Sequence, residues 1–109
     1  MKTYSKKSKY RAKKCQDNGI RFDSIGEKNR YLLLELLQKS GKITALKRQV
    51  RFELNEQNGT KICEYIADFT YIDDAGNYIV EDFKGFKTPI YKLKKKWLKA
   101  QYGYEILET

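Results

Sequence analysis

Two acids and a lysine are the residues best placed to do chemistry. Asp68 sits in Ile66-Ala67-Asp68-Phe69, and Asp82 and Lys84 sit in Ile79-Val80-Glu81-Asp82-Phe83-Lys84-Gly85. Both stretches read as β-strands. Strand side chains alternate faces, so Asp82 and Lys84 point one way while Glu81 and Phe83 point the other. An acid inside a central strand is costly unless it is paired or bound to a metal. Two adjacent acids repel unless a cation neutralises them. One chemistry is a metal-free ion-pair set with Lys84 and Lys87. The other is a hydrolytic site in which Asp68 and Asp82 hold a hard divalent ion, Mg²⁺ or Mn²⁺. Lys84 then stands beside a substrate phosphate or the attacking water.

The surrounding pattern predicts how these residues are positioned. Ser24 followed by Glu27 is a capping-box signature, opening a helix that Gly41 stops. Ile25, Tyr31, Leu32, Leu34 and Leu36, widened by Leu33 and Leu37, predict a broad apolar stripe packed on a sheet. Ile43 to Leu46 reads as short strand or connection, and Gln49 to Leu54 alternates cleanly. The turn residues 55–59 predict a hairpin into a long strand, Lys61 to Ile72, apolar on both faces and therefore central. A second turn at 73–77 leads to Tyr78–Lys84, so Asp68 and Asp82 lie at comparable distances from the bend. Thr88-Pro89 predicts the start of a second helix that Gly103 ends. Tyr91, Leu93, Trp97, Leu98 and Ala100 are its apolar set. A last strand, Tyr104 to Leu107, follows a helical crossover and should be parallel to its neighbour. The predicted fold is α/β in the order α-β-β-β-α-β, with a mixed central sheet flanked by helices.

Composition narrows the function classes. The chain has 109 residues and a formal charge of +9, which suits one domain and a polyanionic partner. It has no histidine, which removes histidine acid–base catalysis and histidine metal ligands. Cys15 and Cys63 are too far apart in sequence to suggest a zinc site. Neither a secretory leader nor a membrane span is expected. Residues 1–18 read as a basic flexible arm carrying Lys6, Lys7, Lys9, Arg11, Lys13 and Lys14, either solvated or ordered by phosphates. Residues 19–109 read as the single folded domain. Lys87, Lys92, Lys95, Lys96 and Lys99 suggest a second phosphate-tracking surface, against the plainer reading of a solvated helix face.

With these residues in hand, the chain resembles the PD-(D/E)xK nuclease superfamily, from Ser24 to Leu107. Ser24-Ile25-Gly26-Glu27, Ile66-Ala67-Asp68-Phe69 and Val80-Glu81-Asp82-Phe83-Lys84-Gly85 are similar to small phage-encoded nuclease-like proteins of a domain-of-unknown-function family. The resemblance implies a restriction-endonuclease-like core. It implies Asp68 and Asp82 as metal ligands, the Phe83 carbonyl as a third, and Glu27 completing the shell. It implies that Lys84 orients water and stabilises the transition state. Ala67 stands where many members have proline. Glu27 is also explained as a capping acid, and Trp97 and the tyrosines as core.

The expectation is a cytoplasmic, Mg²⁺-dependent endonuclease that hydrolyses DNA phosphodiesters, with branched or junction DNA in phage recombination or replication as the preferred substrate. A homodimer would supply two active sites. The alternatives are a non-catalytic nucleic-acid-binding module on the same fold and a ribonuclease.

Overall fold

A computed structural model of the chain describes residues 15–17, 20–84 and 86–109. In chain order the elements are β1 (Cys15–Asp17), β2 (Ile20–Phe22), α1 (Ile25–Lys39), β3 (Ile43–Asn55), β4 (Lys61–Asp73), β5 (Tyr78–Asp82), α2 (Pro89–Tyr102) and β6 (Ile106–Glu108). β1 and β2 form a separate antiparallel ribbon. The other four strands form one mixed sheet in the order β3-β4-β5-β6, with β6 parallel to β5 and the remaining pairs antiparallel. Among the described residues no helix is long and apolar enough to cross a membrane.

The helix ends follow their sequence signals. The Ser24 hydroxyl accepts from the Glu27 N–H at 3.0 Å, which satisfies one of the free donors of the first turn. Thr88 does the same for the Tyr91 N–H at 3.0 Å, with Pro89 in the first turn. Gly103 takes φ 81 at the C-cap of α2, a left-handed conformation that a side chain would oppose.

Two apolar cores lie on the two faces of the sheet. Tyr91 and Leu98 of α2 close over Phe52, Leu54, Tyr65, Ala67, Val80 and Ile106. Leu34 of α1 closes over Ile43, Phe69 and Tyr71. The broad α1 stripe is corrected here: Leu34 is buried, Tyr31 and Leu37 pack against the core, and Ile25, Leu32, Leu33 and Leu36 are exposed. β4 is central, but not buried on both faces throughout, since Ile62 and Ile66 are exposed. On α2, Leu93 and Ala100 lie outside the core.

Two further differences shape the site. β1 and β2 precede α1, so Cys15–Asp17, expected in the arm, is a strand and Phe22 is buried. β3 is continuous over thirteen residues, with Ala45 at φ 57 and Gln49 at φ 53 inside it. These positive φ values let one strand bend where two pieces were expected.

Candidate active site

The site is built where the β4–β5 ladder stops. The last regular pair at that end is Phe69↔Glu81. One residue further on, side chains replace the ladder. The Asp68 N–H donates to Asp82 Oδ1 at 3.1 Å, and the Phe83 N–H donates to Asp68 Oδ2 at 2.9 Å. Each backbone thus meets the other's carboxylate where the β4–β5 pairing stops, and the two acids of the sequence reading lie side by side.

The alternation of β3 and β4 changes phase at this point. Ala67 and Val50 belong to the core under α2, whereas Phe69 belongs to the core under α1. Arg48, paired with Phe69, lies over the Phe22 ring at 4.4 Å. Strict alternation would put residues 67 and 69 on one face, and likewise 48 and 50. Gln49, between Arg48 and Val50, has the left-handed φ, and its side-chain amide donates to Asp68 Oδ1 at 3.4 Å.

β6 holds the triplet's backbone. The Thr109 N–H donates to the Asp82 carbonyl at 2.9 Å, and the Lys84 N–H to the Thr109 carbonyl at 3.3 Å. On the other side, Gly26 of α1 lies so close to Phe83 that a Cβ there would overlap the ring. The glycine in Ser24-Ile25-Gly26-Glu27 is therefore a close-approach residue that brings the first turn of α1, and Glu27, against the triplet.

Alternation correctly separated Asp82 from Glu81. Glu81 is fully buried on the α1 face. It accepts from Arg30 at 2.5 and 2.9 Å, from the Tyr71 hydroxyl at 2.6 Å and from the Thr109 hydroxyl at 3.1 Å. Asp82, also fully buried, faces the α2 side. It accepts a short hydrogen bond from the Tyr65 hydroxyl, and the Lys84 ammonium stands 3.7 Å from its Oδ2. That ammonium also lies 4.7 Å from the centre of the Tyr91 ring, a cation–π arrangement that fixes the lysine over Asp82.

Electrostatics ties the acids together. Burial, followed by the charges of Asp82 and then Glu27, pushes Asp68 up to about 8. Burial first and then Asp23 raise Glu27, while Arg48, 3.9 Å away, pulls it down and Asp82 adds a smaller upward push. Burial and Asp82 also drive the Tyr65 phenol far up, so it remains a donor. A divalent cation would relieve this mutual repulsion. Two neighbouring carboxylates suit Mg²⁺, which keeps several waters and takes one or two protein carboxylates. Among the described residues no three His, Cys, Asp or Glu side chains converge closely enough to share one ion. Glu27 leans toward Arg48, 3.9 Å away. Phe83 meets Asp68 through its N–H.

The lysines divide. Lys87 and Lys95 both pair with Glu108, at 2.9 and 3.0 Å, and Tyr91 donates to the same carboxylate at 2.7 Å. The Tyr91 hydroxyl, then the two lysines, hold Glu108 down at about 2. Lys99 pairs with Glu105 at 3.5 Å. Lys92, Lys95, Lys96 and Lys99 line an open groove of about 510 Å³ with Ala100, Tyr104 and Glu105. Lys6, Lys7, Lys9, Arg11, Lys13 and Lys14 lie outside the described residues.

Sequence reasoning missed Tyr65, Tyr91, Gln49, Arg48 and Arg30. Only Arg30 had a readable signal, because a buried Glu81 on the face opposite Asp82 demands a cation from the helix covering that face.

Comparison with known proteins gives one match. Residues 7–108 match the family described as "Protein of unknown function (DUF1064)". The chain belongs to this family. Neither a curated protein nor a solved structure matches the chain.

Proposed function

We propose that the chain is a divalent-metal-dependent endonuclease of the PD-(D/E)xK type, with a restriction-endonuclease-like core, acting on DNA. The observation that carries this reading is the meeting of Asp68 and Asp82 at the end of the β4–β5 ladder, with Lys84 3.7 Å from Asp82 Oδ2. A divalent cation on Asp68 and Asp82 would supply Lewis acidity and lower the barrier to deprotonating water.

The chain's own groups have distinct parts. Asp68 is partly exposed, so it faces the solvent from which substrate arrives, while Asp82 is held from behind by Tyr65 and the Asp68 N–H. Lys84, steered by Tyr91, presents a positive charge to the phosphoryl oxygens as negative charge builds on them. Hydrolysis consumes one water. Its oxygen bonds to phosphorus, one P–O ester bond breaks, and the departing oxygen takes up a proton, leaving a phosphomonoester and an alcohol. The cationic groove of α2 supports contacts along the backbone, largely independent of sequence.

One observation favours a non-catalytic nucleic-acid-binding module. Asp82 and Glu27 each already have a cationic partner, Lys84 and Arg48. A substrate panel separates the readings. Supercoiled plasmid, branched DNA and structured RNA are incubated with Mg²⁺ or EDTA. Mg²⁺-dependent cleavage of DNA over RNA is expected. Binding without cleavage of any substrate favours the module, and preferential RNA cleavage favours a ribonuclease.

A further inference from the structure

Directly after the triplet come three large apolar side chains that neither core uses. Phe86 is 78% exposed, Ile90 62% and Leu93 55%. Ile90 and Leu93 are three residues apart in α2 and share one helix face, and Phe86 lies in the connection just before that helix. Three large apolar side chains left in water within eight residues mark a surface that something covers.

Charge selects the occupant. Lys84, Lys87 and Lys92 alternate with these residues along the chain. Glu108, joined to this stretch through Lys87, is already shared between Lys87, Lys95 and Tyr91. A second copy of a chain with charge +9 would set one cationic rim against another. A polyanion that also presents flat apolar faces meets both requirements, and unstacked nucleobases are that chemistry.

We propose that Phe86, Ile90 and Leu93 form a stacking ridge for unpaired nucleobases next to the Asp82-Lys84 site. In continuous duplex the base faces are covered by their neighbours, so the ridge favours single-stranded segments and the open bases at a branch. This deepens the nuclease reading by naming its substrate class, and it rests on that reading only for the claim that cleavage follows.

The test measures binding in EDTA, so it does not depend on cleavage. Wild type, Phe86→Ala and Phe86→Trp are titrated against labelled duplex, the same duplex with an unpaired flap, and single strand. A fluorescent adenine analogue in the flap reports stacking. The wild type should prefer flap to duplex and quench the analogue. Phe86→Ala should lose about tenfold of that preference, with duplex binding retained, and Phe86→Trp should keep it. Equal loss on every DNA, or no loss, overturns the ridge. A fall in sedimentation coefficient from dimer to monomer in Phe86→Ala also overturns it, because the ridge is then a protein interface. If the ridge behaves as proposed but wild type cleaves nothing in Mg²⁺, the nuclease reading alone fails.

Discussion

Asp68 donates its backbone N–H to the Asp82 carboxylate at 3.1 Å, so the acid on one strand is held by the backbone of the acid on the next. The Phe83 N–H returns the favour to Asp68 at 2.9 Å. A half-buried acid against a fully buried one carries a consequence for pH. The folded Asp68 carboxyl is raised to about 8 from its ordinary 3.8, chiefly by burial and then by Asp82. A raised carboxyl favours the folded state where it is protonated. That stability is fully present below the unfolded value and is lost as pH rises through the folded one. In EDTA, urea denaturation should therefore show Asp68-linked stability falling between about pH 4 and 8, by at most about 1.4 kcal/mol per pH unit. Asp68→Asn should flatten the slope, and added Mg²⁺ or Mn²⁺ should lift the alkaline end.

Glu108 runs the other way. Tyr91, Lys87 and Lys95 hold it down at about 2, so its contribution is present above the ordinary glutamate range and fades as pH falls toward 2. Glu108→Gln should cost stability at neutral pH and very little at pH 2. The carboxylate is near the surface, so added salt should shrink the effect in wild type.

The Arg30–Glu81 pair is a structural support for the triplet. Removing the arginine leaves a fully buried carboxylate without its cation. Arg30→Ala should cost about 3–5 kcal/mol by equilibrium denaturation. Glu81→Gln in the same background should recover part of that loss, because a neutral amide needs no counter-charge.

Much of this arrangement was readable in advance, and the exceptions have physical causes. Strand alternation separated Asp82 from Glu81, and the turn at 73–77 brought Asp68 alongside, because both depend only on a two-residue period and a short hairpin. The parallel return of β6 followed from the α2 crossover. The buried face of α1 was not readable, because Leu32, Leu33, Leu34, Leu36 and Leu37 surround the helix and no single direction is favoured. Nor was the phase change at Asp68, since glutamine at position 49 carries no turn signal. Tyr65 and Tyr91 looked like core and are core, yet their hydroxyls reach Asp82 and Glu108.

Gly26 and Phe83 should be coupled. Gly26→Ala would drive a Cβ into the Phe83 ring and force that ring aside. A loss of about 1–3 kcal/mol is expected for such overpacking. Phe83→Leu should relieve it, giving a double-mutant-cycle coupling above about 0.5 kcal/mol. Strict additivity would mean that the close approach does not hold the triplet.

Lys84 has an opposed effect on binding and rate. Its ammonium competes with an incoming cation for Asp82 Oδ2. Lys84→Met should therefore bind Mn²⁺ at least as tightly as wild type by calorimetry, while cleavage falls about a hundredfold. A parallel loss of both would make Lys84 a structural residue.

The most direct test of the central claim compares wild type with Asp68→Asn and Asp82→Asn. All three are purified identically and shown to be folded by circular dichroism. Cleavage of branched and plasmid DNA is followed in Mg²⁺ and in EDTA. The account predicts cleavage by wild type in Mg²⁺ alone and a drop of at least about a thousandfold in each variant. Equal trace cleavage by wild type and both variants would contradict it.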